Sequence, residues 1–369
     1  MLGLALYIAR INRLALALIF VLVSPFAVRW LTDGMETSLA GLLSLAFSIL
    51  LYRRAPPAVL ALMALVLSLL RVDLTLLVAF GAILMIDQGE RLRAGALCVG
   101  SGVSLAFIRL TMGHLLPDTA LAKVGLRFFD VFAGTAHEIA GTFSFGIGVL
   151  LVWAASAVSA WRIDRRSALI ANLPFPVLML LAAARGQQIH GVRYIIWALL
   201  FSIAWNLMAT AAVPSPRPVL LSALACVLIV CWIFELPVAL RIDRGRSANL
   251  SAMENGHLDQ LRGEGLAEDV GFVGYFSAAP ICDLSGLVNG RVAAQMTIVQ
   301  RTEVCLARKP SFLFLSGSQI GYLDNMFRLN SQSDWLDCGH VDFPNVGSDD
   351  SHWLLVRRTA YPAGCPANL

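Results

Sequence analysis

Residues 57–86 read PAVLALMALVLSLLRVDLTLLVAFGAILMI, and Arg71 and Asp73 are the only charges in the stretch. A bilayer core about 30 Å thick is crossed by ~20 apolar helical residues. One tilted span here would bury two ionisable side chains near mid-membrane, at roughly 2.5–3.5 kcal/mol each on insertion scales. Two spans, 57–70 and 74–86, avoid that burial but are short. The choice inverts the side of everything downstream, so this stretch decides the fold.

The surrounding sequence is equally apolar. Of 369 residues, 58% are hydrophobic and 14% charged, whereas soluble domains run near 45–50% and ~25%. A water-soluble enzyme is excluded on that ground. So are a disordered chain, a secreted disulfide miniprotein and a nucleic-acid-binding domain, each of which needs charge, shortness or a basic face. Only Lys123 and Lys309 among the 28 basic residues are lysine; with the Ala/Leu richness, this points to a bacterium of high GC content.

The charge is unevenly spread. Residues 1–242 carry 18 basic and 10 acidic side chains, and residues 243–369 carry 10 and 14. The expected fold is an all-α polytopic membrane domain over 1–242 with a small soluble α/β domain over 243–369. Spans are expected near 12–31, 35–52, 57–70, 74–86, 94–112, 138–160, 167–184, 193–213 and 218–240, about nine transmembrane helices. Pro174 and Pro176 are expected to kink the seventh. Arg10 and Arg13 precede the first run without a small-residue cleavage site, so it is read as a retained helix.

Arginine counting divides evenly for nine spans and mildly favours a cytoplasmic tail for eight. Cys282, Cys305, Cys338 and Cys365 all fall in the tail. They allow three pairings and fit an oxidising periplasm, so at least one disulfide is expected there; reduced thiols are the alternative. In the tail, 270–277 and 281–288 read as strands, 290–307 as helix, and 311–316 and 352–360 as strands.

Four segments carry a resemblance. Asp33-Gly34-Met35-Glu36-Thr37 opens a span; Leu69-Leu70-Arg71-Val72-Asp73 lies between two; Gly113-His114-Leu115-Leu116-Pro117-Asp118-Thr119-Ala120-Leu121-Ala122-Lys123 forms a loop; Asp283-Leu284-Ser285-Gly286-Leu287 follows Gly274-Tyr275-Phe276-Ser277 in the tail. Together, with a fainter fifth match at Gly191-Val192-Arg193-Tyr194, they resemble the GT-C fold polyprenyl-phosphate-sugar-dependent membrane glycosyltransferases, a class that includes bacterial envelope mannosyltransferases. The resemblance implies two short spans around Arg71, an outer loop ending at Lys123, an outer C-terminal domain and a periplasmic tail. It also implies a catalytic aspartate in a loop before the Gly-Met-Glu-Thr helix. No acidic residue precedes Asp33, so a chain lacking the N-terminal catalytic-aspartate region is expected, truncated or inactive, or completed by a second chain.

Sugar transfer from a lipid phosphate needs a carboxylate base, cations for the leaving phosphate and a dry groove. Asp33 and Glu36 are the candidate catalytic residues; the same spacing also makes a helix capping box. Lys123, Arg127, Arg185 and Arg193 are the candidate phosphate- or donor-binding residues, and interfacial snorkelling explains each equally well. Glu235, near Pro237 in the last span, is a further intramembrane acid. The six histidines show no metal-ligand spacing, and no cofactor is implied. Expected partners are a lipid-linked sugar donor, a glycan, lipid or protein acceptor, and membrane lipids, with no nucleic acid. The expected function is a membrane glycosyltransferase-like protein of the bacterial inner membrane. The alternatives are a non-catalytic envelope or assembly protein that keeps the fold, and a transporter.

Overall fold

The computed structural model describes residues 15–24, 37–115, 131–133, 135–136, 143–184, 195–211, 218–268, 270–286, 290–327, 334–344, 349–367 and 369. The chain divides into two compact units, one of the described residues up to Ala239 and one from Leu240 on.

The first unit is helical. Its elements are α1 (Ala15–Leu22), α2 (Thr37–Tyr52), α3 (Pro57–Leu70), α4 (Thr75–Asp87), α5 (Arg91–Met112), α6 (Phe143–Trp161), α7 (Arg165–Asn172), α8 (Pro174–Ala184), α9 (Ile196–Ala209) and the start of α10 (Pro218–Asn255). Local chemistry sets the boundaries. Pro57 starts α3, where the first turn has no use for the missing N–H. Asp164 caps α7, its carboxylate accepting the N–H groups of Arg166 and Ser167 at 3.0 and 3.2 Å. Gly113 ends α5 at φ 73°, a left-handed conformation that glycine adopts without strain.

Helix α9 is the centre of this unit. Every residue from Ile196 to Met208 is buried, the mark of a helix packed on all sides. Phe201 stacks on Phe47 of α2 at 5.9 Å, and Trp205 meets Tyr52 edge-on at 5.7 Å. Two asparagines cross-link it to α7: half-buried Asn172 and buried Asn206 exchange amide hydrogen bonds of 3.1 and 3.0 Å, and Asn206 also donates to Ser156 of α6 at 3.3 Å.

The expectation of nine spans is corrected here. Among the described residues, two helices are long and apolar enough to cross a membrane: α5, with 22 residues, and Arg165–Ala184, the 20 residues of α7 and α8 together. Shorter apolar stretches among the described residues, Ser38–Tyr52, Pro57–Leu70, Phe145–Trp161 and Ile196–Ala209, have 10–17 residues. Length is the physical reason. At ~1.5 Å rise per residue, a 14-residue helix reaches only about 21 Å. Apolar runs mark where helices lie, not how far they extend. The expected prolines lie at a joint within Arg165–Ala184: Leu173, itself in helical conformation, separates α7 from α8, which Pro174 opens.

The outer face of α5 inverts the soluble pattern. Its buried positions are Ala94, Leu97, Gly100, Ser101, Ser104 and Ile108, mostly small or hydroxylated, while Leu92, Val99, Val103, Phe107 and Leu110 are exposed. Small residues inward and large apolar ones outward is the arrangement of helices packed within lipid.

The second unit carries a five-stranded mixed sheet, made of β1 (Gly265–Ala267), β2 (Ile281–Asp283), β3 (Phe312–Ser316), β4 (Trp335–Pro344) and β5 (Asp349–Arg357) in the order β2-β1-β3-β5-β4. Strands β2, β1 and β3 are parallel, and β3, β5 and β4 antiparallel. Helices α11 (Val270–Phe276), α12 (Gly290–Gln295), α13 (Ile298–Ala307) and α14 (Gly317–Phe327) connect them. Phe312, Phe314, Leu354 and Val356 face one core with Met253 and Leu261; Leu313, Leu315 and Trp335 face the other with Leu323.

Disulfides Cys282–Cys305 and Cys338–Cys365 close this unit, with Cα separations of 5.7 and 5.6 Å. The strand expected at 270–277 is instead α11, and 281–288 keeps only three strand residues before turning at Leu284. A parallel β1–β2 pair needs a crossover, and α11 supplies it.

Candidate functional site

The sequence-expected site residues Asp33, Glu36, Lys123, Arg127, Arg185 and Arg193 lie outside the described residues, as does Asp118. Glu235 is buried in α10. Arg71 and Asp73 are described, and they face each other. Arg71 ends α3 in an extended conformation, a 3-10 turn of Val72–Leu74 follows, and α4 begins at Thr75. The Arg71 guanidinium donates from Nε and Nη2 to the two Asp73 carboxylate oxygens at 3.0 and 2.8 Å. This two-pronged pair neutralises both charges at the turn between two short helices.

The second unit brings together polar residues that sequence reasoning did not assemble. Strand β1 has β2 on one side and β3 on the other, so the chain reverses direction across the sheet between β1 and β3. Such reversal points open a crevice at the carboxyl ends of parallel strands. Glu268 follows β1 there, and Ser316 ends β3. Ser316 donates to Glu268 Oε2 at 2.7 Å, shares a 3.0 Å hydroxyl contact with Ser318, and accepts from the Gln319 N–H at 3.4 Å. Ser285, just after β2, donates to the Glu268 carbonyl at 2.8 Å. His352 is the register partner of Ser316 on β5, and its ring stacks on Phe314 at 5.5 Å. The cluster gathers one carboxylate, three hydroxyls and an imidazole at the carboxyl ends of the parallel strands; Ser316 and His352 are buried, and the Ser316 and Ser285 hydroxyls are hydrogen-bonded within it. Its sequence signal was the polar residues directly after each apolar strand run, at Glu268, Ser285 and Ser316–Ser318.

The family-like Asp283–Gly286 segment lies beside this edge, and its geometry is structural. Asp283, buried at the end of β2, accepts the Ser285 N–H at 2.7 Å. Arg301 of α13 reaches in to donate from Nε to the Leu284 carbonyl at 2.7 Å, and from Nη1 to the Ala293 and Met296 carbonyls at 3.2 and 2.9 Å. Burial lowers the Arg301 guanidinium below its ordinary pKa, and the Asp283 carboxylate opposes that shift. Gly286 passes under it at φ 71°, where a Cβ would sit 2.7 Å from Arg301 Nη1.

Among the described residues, no group of three or more His, Cys, Asp or Glu side chains can hold a metal ion. Comparison with family models, with curated proteins and with solved structures finds no match to this chain.

Proposed function

We propose that the chain is a membrane glycosyltransferase-like protein of the bacterial inner membrane that takes a lipid-linked, polyprenyl-phosphate sugar as donor. The observation that carries this reading is the Leu69–Asp73 segment: the family-like motif coincides with a turn between two short apolar helices, clasped by Arg71 and Asp73. The outward apolar face of α5 supports the membrane setting. The two disulfides in the second unit support an oxidising compartment for it, the periplasm. In this reading Lys123, Arg127, Arg185 and Arg193 hold the lipid phosphate as charge-assisted donors; Asp33 and Glu36 are the candidate bases within the chain, and without the family's N-terminal aspartate region little or no transfer is expected of it.

The test uses the full chain in lipid nanodiscs with a polyprenyl phosphate, followed by tryptophan fluorescence, and with a lipid-linked radiolabelled sugar and envelope acceptors. Saturable binding that weakens in Lys123→Ala and Arg193→Ala supports the reading. Transfer lost in Asp33→Asn or Glu36→Gln assigns the base. Binding without transfer favours the non-catalytic form, and absence of binding overturns the proposal.

A further inference from the structure

Three interhelical connections of the first unit meet at one end. They are 53–56 between α2 and α3, 88–90 between α4 and α5, and 162–164 between α6 and α7. Ion pairs tie them together. Arg54 meets Glu90 at 3.3 Å, Arg93 pairs with the same carboxylate and donates to the carbonyls of Arg54 and Ala55, and Arg166 meets Asp87 at 2.5 Å. The end holds seven arginines, at 53, 54, 91, 93, 162, 165 and 166, against Asp87, Glu90 and Asp164. All of these arginines but Arg93 are exposed.

Internal pairing does not account for this surplus. Among the described residues, Arg91, Arg162 and Arg165 enter no ion pair. Helix energetics do not account for it either. Arg91 and Arg165 open α5 and α7, where the macrodipole disfavours cations and favours anions. Two aromatic side chains flank the cations: Tyr52 and Trp161, the last residues of α2 and α6, are both exposed. Among the described residues, the two helices long enough to cross a bilayer start at this end, and their apolar surfaces run away from it.

We infer that this arginine-rich end binds the anionic phospholipid headgroups of the cytoplasmic leaflet, an assignment that rests on the membrane reading above. Arginine and an aromatic fringe each suit that layer, and the cytoplasmic side attracts such clusters. A soluble acidic partner would leave the large apolar face of α5 uncovered next to it. Headgroups and acyl chains together cover both. The surface also orients α5 and α7, whose first residues then face the cytoplasm.

The full-length chain, purified in detergent, is exchanged into nanodiscs of phosphatidylcholine and phosphatidylglycerol in equal amounts, and retained lipids are read by native mass spectrometry. The wild type is expected to enrich phosphatidylglycerol several-fold. Arg91→Gln/Arg162→Gln/Arg165→Gln should lose the enrichment, and the corresponding triple Lys variant should keep it. Equal retention of both lipids, or enrichment that survives the Gln variant, overturns the inference alone. Failure to enter any bilayer overturns the membrane reading with it. In a bacterial host, Arg165→Cys should add label from a membrane-impermeant maleimide in inverted vesicles, beyond the wild-type background, but not in spheroplasts; the reverse pattern overturns the assigned side.

Discussion

Gly100 of α5 lies so close to Ala61 of α3 that a Cβ added to it would sit 2.1 Å from the Ala61 carbonyl oxygen. Backbone, not a flexible side chain, blocks the space, so a larger residue must push the two helices apart. The same contact brings Ser68 and Ser101 to 3.0 Å, with their hydroxyls hydrogen-bonded. We expect Gly100→Ala to cost about 1–3 kcal/mol, the usual penalty for overpacking. Gly102, two residues on, has open space where a Cβ would stand, with no atom within 4 Å. Gly102→Ala should therefore stabilise, by about 0.5–1 kcal/mol, through helix propensity. Thermal unfolding in detergent checks both, and the opposite signs within one helix exclude a general effect of the added methyl.

The α7 cap should give stability a pH signature. Hydrogen bonds from Ser167 and the backbone N–H groups hold the Asp164 carboxyl below its ordinary pKa of 3.8. A depressed carboxylate contributes stability that is present above the unfolded value and lost as pH falls through the folded one. Asp164→Ala should cost about 1 kcal/mol at neutral pH. Melting curves of the wild type and variant should converge below about pH 4. A constant gap down to about pH 3 would assign the effect to packing.

Arg301 and Gly286 should behave as one device. Arg301→Met removes the donor to three carbonyls and the charge that Asp283 faces, at about 3 kcal/mol. Gly286→Ala forces a side chain into a left-handed conformation against the guanidinium, at about 1–3 kcal/mol. Because each change disturbs the same contact, the double variant should lose less than the sum of the two. Chemical denaturation of the four proteins measures the coupling.

Peptide mapping without reductant should return Cys282 linked to Cys305 and Cys338 to Cys365, with no crossed pair. The enclosed separations of 23 and 27 residues correspond to about 3 kcal/mol each in the loop-entropy account. Cys282→Ala/Cys305→Ala should lower the denaturation midpoint of the second unit accordingly. Four alkylatable tail thiols in protein purified from membranes would contradict the pairing.

Local features of the chain were legible where one residue type decides the outcome. Arg71 and Asp73 stop α3 and start α4 because neither charge fits an apolar helix, and the boundaries follow them closely. Span number was not legible, since apolar composition does not encode helix length. The Val270–Phe276 run reads differently in sequence and structure for another reason. Its Val, Phe and Tyr residues favour strands, yet the parallel pairing of β1 with β2 requires a crossover, and tertiary demand overrides propensity. Strand β4 escapes a sequence reading because Asp337 and Asp342 interrupt its apolar pattern at the sheet edge. The Glu268–Ser316 cluster depends on which strands become neighbours, and strand order is not written in either segment alone.

The cysteine pairing carries a consequence for biogenesis. The first two tail cysteines pair with each other and so do the last two, so the two rings follow one another without interlocking. A chain threaded outward from its N-terminal side presents Cys282 and Cys305 to the oxidant before Cys338 and Cys365 emerge. In the periplasmic placement proposed above, oxidation in order of emergence yields the native pattern directly, and maturation of this unit is expected to need an oxidase but no reshuffling by an isomerase.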